Sequence, residues 1–326
     1  MIEFKEVSKE YNSGQPVVSN FNLQIKDNEF FVLIGPSGSG KTTTLKMINR
    51  LIPLSSGWIT INGKPISDFN LQELRWNIGY VLQQIALFPN MTVEENILVV
   101  PEMKKWPKEK MRDRVTELLD SVGLEPDQYR DREISALSGG EQQRIGVLRA
   151  LAADPDIILM DEPFSALDPI SRNQLRKDVS ELQKKWQKTV VFVTHDMQEA
   201  IELGDRICLM NHGEIIQVGT PQEILEEPKN EFVRSFLQTG LPGYKETVKV
   251  EQAIQTGYLQ NLSEANQMAP VLSVTDSIEK AVRLLATNEV VRIKDSSEQF
   301  VGEITQQLLL AFLADEANKK VEVSEK

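Results

Sequence analysis

The eight residues Gly35-Pro36-Ser37-Gly38-Ser39-Gly40-Lys41-Thr42 carry the spacing G-x-x-x-x-G-K-[ST]. Glycines in such a run let the backbone curl until its N–H groups converge on an anion. An apolar stretch, Phe30 to Ile34, precedes the run, and a helical pattern from Thr43 to Arg50 follows it. The partial positive charge of a helix N-terminus therefore falls at the same spot. Lys41 is placed to reach the outer phosphates of a bound nucleoside triphosphate, and the Thr42 hydroxyl to ligate Mg²⁺. Ser37, Ser39 and Thr43 complete the phosphate-facing set. A second chemical feature is the acid pair Asp161 and Glu162, directly after the apolar run Ile157 to Met160. Two acids after a strand commonly serve as a helix cap and a solvated neighbour. Beside a phosphate loop they suit other work: Asp161 to hold Mg²⁺, Glu162 to orient and polarise a water.

Groups this specific need a rigid frame. Phe30 to Ile34, Ile157 to Met160 and Val190 to Thr194 are continuous apolar runs, as expected of strands covered on both faces. Strands alternating with helical stretches through the first two thirds of the chain predict an α/β fold around a mostly parallel sheet, with ligands at the C-terminal strand ends. Between about 91 and 137 the character changes. Lys104 to Leu124, rich in Lys, Glu, Arg and Leu, reads as helix within an all-helical insertion. A Gly/Pro cluster, Gln238 to Tyr244, marks a linker. A small domain follows, then a mixed-charge tail from about 315, expected to be flexible.

The chain of 326 residues carries a formal net charge of -12, which argues against a nucleic-acid partner, for which a basic footprint is expected. Its one cysteine, Cys208, excludes a disulfide framework and fits a reducing compartment. The start, Met1-Ile2-Glu3-Phe4-Lys5, lacks the order of a secretory signal, and no apolar run approaches the ~20 residues that span a bilayer.

Leu137-Ser138-Gly139-Gly140-Glu141-Gln142-Gln143-Arg144 resembles the signature motif of ABC ATPases. The other family elements occur in order over about 1 to 236. Gln83 resembles the Q-loop glutamine, Ser165 to Asp168 the D-loop, His195 the histidine switch, and Tyr11 the aromatic that stacks on adenine. The resemblance implies a P-loop NTPase cassette with a RecA-like core and a helical subdomain. It implies ATP and Mg²⁺ as cofactors, with Thr42, Gln83 and Asp161 around the metal. Glu162, His195, Gln83 and Asp168 are the implied catalytic set. Two copies are expected head to tail, so that Ser138, Gly139, Gly140 and Gln142 of one chain meet the nucleotide on the phosphate loop of the other. His212, in Asn211-His212-Gly213, keeps a plain reading as a hairpin turn. Ala86-Leu87-Phe88-Pro89 resembles the surface that receives a membrane subunit, or is simply local core.

Residues 269 to 313 resemble one CBS motif: strand, helix, two strands, helix. Leu308 stands where such motifs usually carry the ribose-holding acid, so the domain is expected to pair or stabilise without an adenosine ligand. The organisation expected is therefore an ATPase domain over 1–237, a linker over 238–246, a small α+β CBS-like domain over 247–314, and the tail over 315–326. That arrangement, with Ile78 to Ile97, resembles the ATPase subunits of quaternary-amine importers for glycine betaine, carnitine or choline. An aromatic betaine or a bile compound is the alternative solute. Such a subunit is expected as a homodimer at the cytoplasmic face of the membrane, beneath transmembrane permease subunits fed by an extracellular solute-binding protein.

Overall fold

The computed structural model describes all residues except 12, 13, 15, 242–248, 296, 325 and 326. It divides into two compact units, Met1–Tyr244 and Lys245–Lys326. The strands of the first unit are β1 (Ile2–Glu10), β2 (Pro16–Ile25), β3 (Phe30–Ile34), β4 (Ser56–Ile61), β5 (Lys64–Pro65), β6 (Ile78–Val81), β7 (Ile157–Asp161), β8 (Thr189–Thr194), β9 (Arg206–Asn211) and β10 (Glu214–Gly219). An antiparallel sheet has the order β2-β1-β4-β5. The other sheet has the order β10-β9-β3-β8-β7-β6, parallel except for the β9–β10 hairpin. His212 (φ 47) and Gly213 (φ 81) make the tight turn of that hairpin, both left-handed as a two-residue connection requires.

The apolar runs are explained by two interiors. Along β3, Phe30, Val32 and Ile34 enter one apolar cluster, while Phe31 and Leu33 enter another. The same alternation divides Ile158 and Met160 of β7 from Ile157 and Leu159, and Val190 and Phe192 of β8 from Val191 and Val193. Each full burial contributes about 1.5–3 kcal/mol, so a polar residue at any of these positions would be costly. Cys208 belongs to one of these interiors, and burial pushes its thiol far above the usual range.

Helix α1 (Lys41–Ile48) follows the phosphate loop, and α2 (Leu71–Trp76) leads into β6. The insertion comprises α3 (Val93–Met103), α4 (Lys108–Ser121) and α5 (Pro126–Tyr129), followed by α6 (Gly139–Leu151). The helix read over Lys104 to Leu124 is present as α4 but shorter at both ends, Lys108 to Ser121. Pro107 cannot be preceded by helical backbone at low cost, so α3 stops short of it and α4 starts after it. Helix α7 (Pro169–Trp186) precedes β8 and α8 (Met197–Leu203) follows it, and α9 (Pro221–Glu226) and α10 (Glu231–Gly240) close the unit. Residues 238–240, read as the start of a linker, are the last turn of α10, which ends two residues before Pro242. The remainder of that linker falls largely on 242–248, outside the described residues.

The second unit contains α11 (Val250–Gln255), β11 (Val271–Ser273), α12 (Ile278–Leu285), β12 (Val290–Lys294), β13 (Phe300–Thr305) and α13 (Gln306–Ser324). β11 and β12 are parallel, β12 and β13 antiparallel. Its interior is its own, built from Val250, Leu272, Ile278, Leu285, Val291, Ile293, Ile304 and Phe312 among others. The tail expected to be flexible from 315 is helical backbone as far as Ser324. The stretch holds no Gly or Pro, and half of it is Ala, Glu and Lys, which favour helix.

Candidate functional site

The turn from β3 into α1 makes the phosphate loop. Gly35 (φ 155) and Gly40 (φ 96) hold backbone conformations that side chains oppose. A Cβ would fall 2.1 Å from the Met210 carbonyl oxygen at Gly35, and 2.7 Å from that of Val17 at Gly40. Only glycine fits there. Lys41 is buried, and its Nζ donates to the carbonyls of Gly35 (2.8 Å) and Pro36 (3.0 Å). Burial lowers its pKa, opposed by the charges of Glu162 and Asp161. An ammonium held beneath a loop of N–H groups, with little water around it, is prepared for an anion.

Asp161 ends β7, and its Oδ1 accepts from Thr42 Oγ1 at 2.7 Å. Tyr80 of β6 donates to Oδ2 at 3.4 Å, and Lys46 Nζ lies 3.9 Å from it. Burial pushes the Tyr80 hydroxyl far up, and Asp161 pushes it further. Tyr80 and Lys46 were not among the expected site residues. Lys46, four residues after Thr42 and so on the same helical face, carried a sequence signal, whereas Tyr80 carried none. Thr42 and Asp161 are hard oxygen donors side by side, a fit for Mg²⁺. Among the described residues no three His, Cys, Asp or Glu side chains cluster into a metal cage. A magnesium ion here would take its other ligands from phosphate, water and the Gln83 amide oxygen.

Glu162 begins the next turn in a left-handed conformation (φ 45). Its N–H donates to the Val193 carbonyl (2.9 Å), and its own carbonyl accepts from Ser165 N (3.3 Å) and Ser165 Oγ (3.0 Å). So fixed, its Oε2 faces His195 Nδ1 at 3.0 Å and Gln83 Nε2 at 3.5 Å. Against a carboxylate Nδ1 is the donor, which leaves Nε2 free to accept or to meet a phosphate in the charged form. A cleft of about 550 Å³ is lined by Ser37 to Thr43, Gln83, Glu162, His195 and Val17. Val17, on β2, belongs to none of the motifs.

The remaining expected residues lie outside that lining. Tyr11 is exposed just beyond β1, with Lys9 Nζ 4.9 Å from its ring centroid. Asp168 caps α7, accepting from Ile170 N (3.0 Å) and Ser171 N (3.1 Å), and its bonds from Ser171 and Ile170 hold it below the usual carboxylate range. Ser138 caps α6 in a reciprocal box: Glu141 N donates to its Oγ (3.3 Å), and Glu141 Oε2 accepts from Ser138 N (2.8 Å) and Oγ (2.7 Å). Tyr129 donates to the other oxygen of Glu141 at 2.6 Å, the leading cause of that carboxyl's lowered pKa. Gln142, expected at the nucleotide, is committed to its own loop. Its amide donates to the carbonyls of Ile134 (3.1 Å) and Leu137 (3.0 Å). One chain thus gathers the phosphate loop, the acids, Gln83 and His195, and holds Ser138, Gly139 and Gly140 apart from them.

Ala86 to Met91 is pinned rather than loose. Fully buried Asn96 donates to the carbonyls of Phe88 (3.1 Å), Met91 (3.3 Å) and Thr92 (2.9 Å) and accepts from Phe88 N (2.8 Å), while Arg149 donates to Ala86 O at 2.7 Å. Phe88 itself is exposed.

A phosphate loop at the head of a parallel sheet, with a strand-end Asp, a following Glu and a facing His, defines a P-loop nucleotide-binding cassette. A family profile described as ABC transporter matches residues 18–165. The glycine betaine uptake system ATP-binding protein YehX of Escherichia coli is 48% identical over 236 residues, covering 72% of this chain and 76% of that one. The chain belongs to the ABC transporter ATP-binding family. The glycine betaine/carnitine/choline transport ATP-binding protein OpuCA of Bacillus subtilis is 56% identical over 237 residues, 73% of this chain and 62% of that one. This chain spans about 60% of the length of the curated relatives it matches first. Among solved structures, a dimeric post-hydrolysis state of the ATP-binding cassette MJ0796 bound to ADP and Pi superposes with a TM-score of 0.61 at 35% identity, covering 68% of this chain and 99% of that one.

Proposed function

We propose that this chain is the ATP-hydrolysing subunit of an importer of quaternary amines such as glycine betaine, carnitine or choline. The observation that carries the enzymatic part is Glu162, its carboxylate fixed at the mouth of the phosphate cleft against His195 and Gln83. Lys41 and the loop N–H groups hold the β- and γ-phosphates, and Thr42 and Asp161 hold Mg²⁺, which would neutralise charge between those phosphates. Glu162 aligns the attacking water and takes its proton. His195, held by Glu162 through Nδ1, presents its other nitrogen toward the γ-phosphate. Tyr11 stacks on the adenine. Ser138, Gly139 and Gly140, separate from the cleft of their own chain, complete the site of a second copy, with Asp168 at the same junction. The dimeric state of MJ0796 supports that arrangement.

The names of the relatives support the solute class, since they describe transport of betaine, carnitine and choline. Among the described residues no helix is long and apolar enough to cross a membrane. The permease subunits are therefore proposed as separate chains, with a solute-binding protein on the far side and this subunit peripheral on the cytoplasmic face. Exposed Phe88, on its pinned loop, is the proposed contact to the permease. The second unit is proposed as a CBS-like regulatory or dimerising domain that acts without an adenine ligand.

The test is Glu162→Gln, which keeps shape and hydrogen bonding but removes the base. ATP binding persists, and steady-state hydrolysis falls by about 10²–10⁴. Turnover within a few-fold of the unaltered protein would remove Glu162 from this role.

A further inference from the structure

Glu199 is a buried acid that the catalytic scheme leaves unused. It sits in the first turn of α8, 5% exposed, and its Oε2 accepts from the hydroxyl of Thr194, the last residue of β8, itself 2% exposed. The same hydroxyl oxygen accepts from Asp196 N at 3.0 Å. One hydroxyl group thus ties the residue before His195 to the residue after it, and anchors both to a carboxyl in the following helix. His195 relies on that turn for its place, because its side chain is largely exposed, and its Nδ1 meets Glu162 at 3.0 Å. Burial pushes the Glu199 carboxyl upward and the bond from Thr194 draws it back, so the two side chains depend on each other.

We propose that Thr194 and Glu199 are positioning residues for His195, fixing the strand-to-helix turn that carries the imidazole to Glu162 and the γ-phosphate. This rests on the hydrolytic reading above. A geometric anchor has consequences that a general packing role lacks. Phosphate binding depends on the loop at 35 to 43 and stays intact, whereas the chemical step, which needs the imidazole in register, slows. An error of an ångström in a reacting group is enough for such a loss.

Thr194→Val keeps the shape and removes the hydroxyl. In the purified full-length chain, kcat for ATP hydrolysis should fall about tenfold with KM for ATP within twofold, and Thr194→Ser should recover most of the loss. In a His195→Ala background, Thr194→Val should change kcat by less than twofold, since residues acting through one group are not additive. Glu199→Met replaces the acceptor carboxyl with an apolar thioether of similar length and gives the same pattern if Thr194→Val is too unstable to purify. Additive losses in the His195→Ala background, a raised KM at unchanged kcat, or no recovery in Thr194→Ser would each overturn the assignment. An unaltered chain that fails to hydrolyse ATP takes the hydrolytic reading down with it; an active one with a fully active Thr194→Val variant defeats this inference alone.

Discussion

The carboxylate proposed as the base is held at the cost of backbone strain. Glu162 adopts φ 45, a conformation that costs a non-glycine residue roughly 1–2 kcal/mol, and bonds to Val193 and Ser165 hold it there. Glycine would take that conformation without penalty. Glu162→Gly is therefore expected to be more stable than Glu162→Gln by about 1 kcal/mol in urea unfolding, though neither hydrolyses ATP efficiently; equal stability would mean that the strain is negligible. The phosphate loop and the two acids were legible in the sequence because their chemistry depends on neighbours along the chain. Tyr80 and Val17 were not: Tyr80 reaches Asp161 through the pairing of β6 with β7, and Val17 comes from the other sheet, and neither leaves a spacing signal. Gln142 had a motif position but no signal for its contacts within the chain, where its amide donates to the carbonyls of Ile134 and Leu137.

Among the elements, the central strands could be read from the chain because burial on both faces demands continuous apolar sequence. The bounds of the insertion's helices were harder, as Pro107 sets the start of α4 locally within a longer charged pattern. Its loop at 86 to 91 depends on a residue no motif marks. Asn96→Ala would remove the partners of the Phe88 N–H and the Met91 carbonyl, while the Phe88 carbonyl keeps the bond from Met91 N, costing about 2–3 kcal/mol of unfolding free energy. A variant with unchanged urea midpoint would show that water replaces the amide. The junction after α6 offers a pH signature. Lys188, bonded to Asp154 at 2.8 Å, is the main cause holding that carboxyl below its usual range. A depressed acid stabilises the fold above its unfolded pKa of about 3.9, and that contribution is lost as pH falls through the folded value. The site is partly exposed, so the effect is under about 1 kcal/mol. Asp154→Asn, which tolerates the left-handed backbone at φ 54, should be slightly less stable at pH 7, with the difference narrowing toward pH 3; a constant difference would point to packing instead of charge.

At the scale of the whole molecule, the separation of Ser138 from the cleft of its own chain makes the proposed dimer testable by complementation. In mixed dimers with Lys41→Ala in one chain and Ser138→Arg in the other, a head-to-tail arrangement places both lesions in one site and spares the other. ATP should then be trapped at one site per dimer; loss of both sites would exclude the arrangement. The second unit has a different kind of independence. Its apolar interior, from Val250 to Phe312, is closed on itself, and the matches to OpuCA and YehX extend over only 237 and 236 residues. Substitutions at Leu272, Val291 or Ile293 are therefore answered by partners within the same eighty-odd residues, so that this unit can be repacked from inside.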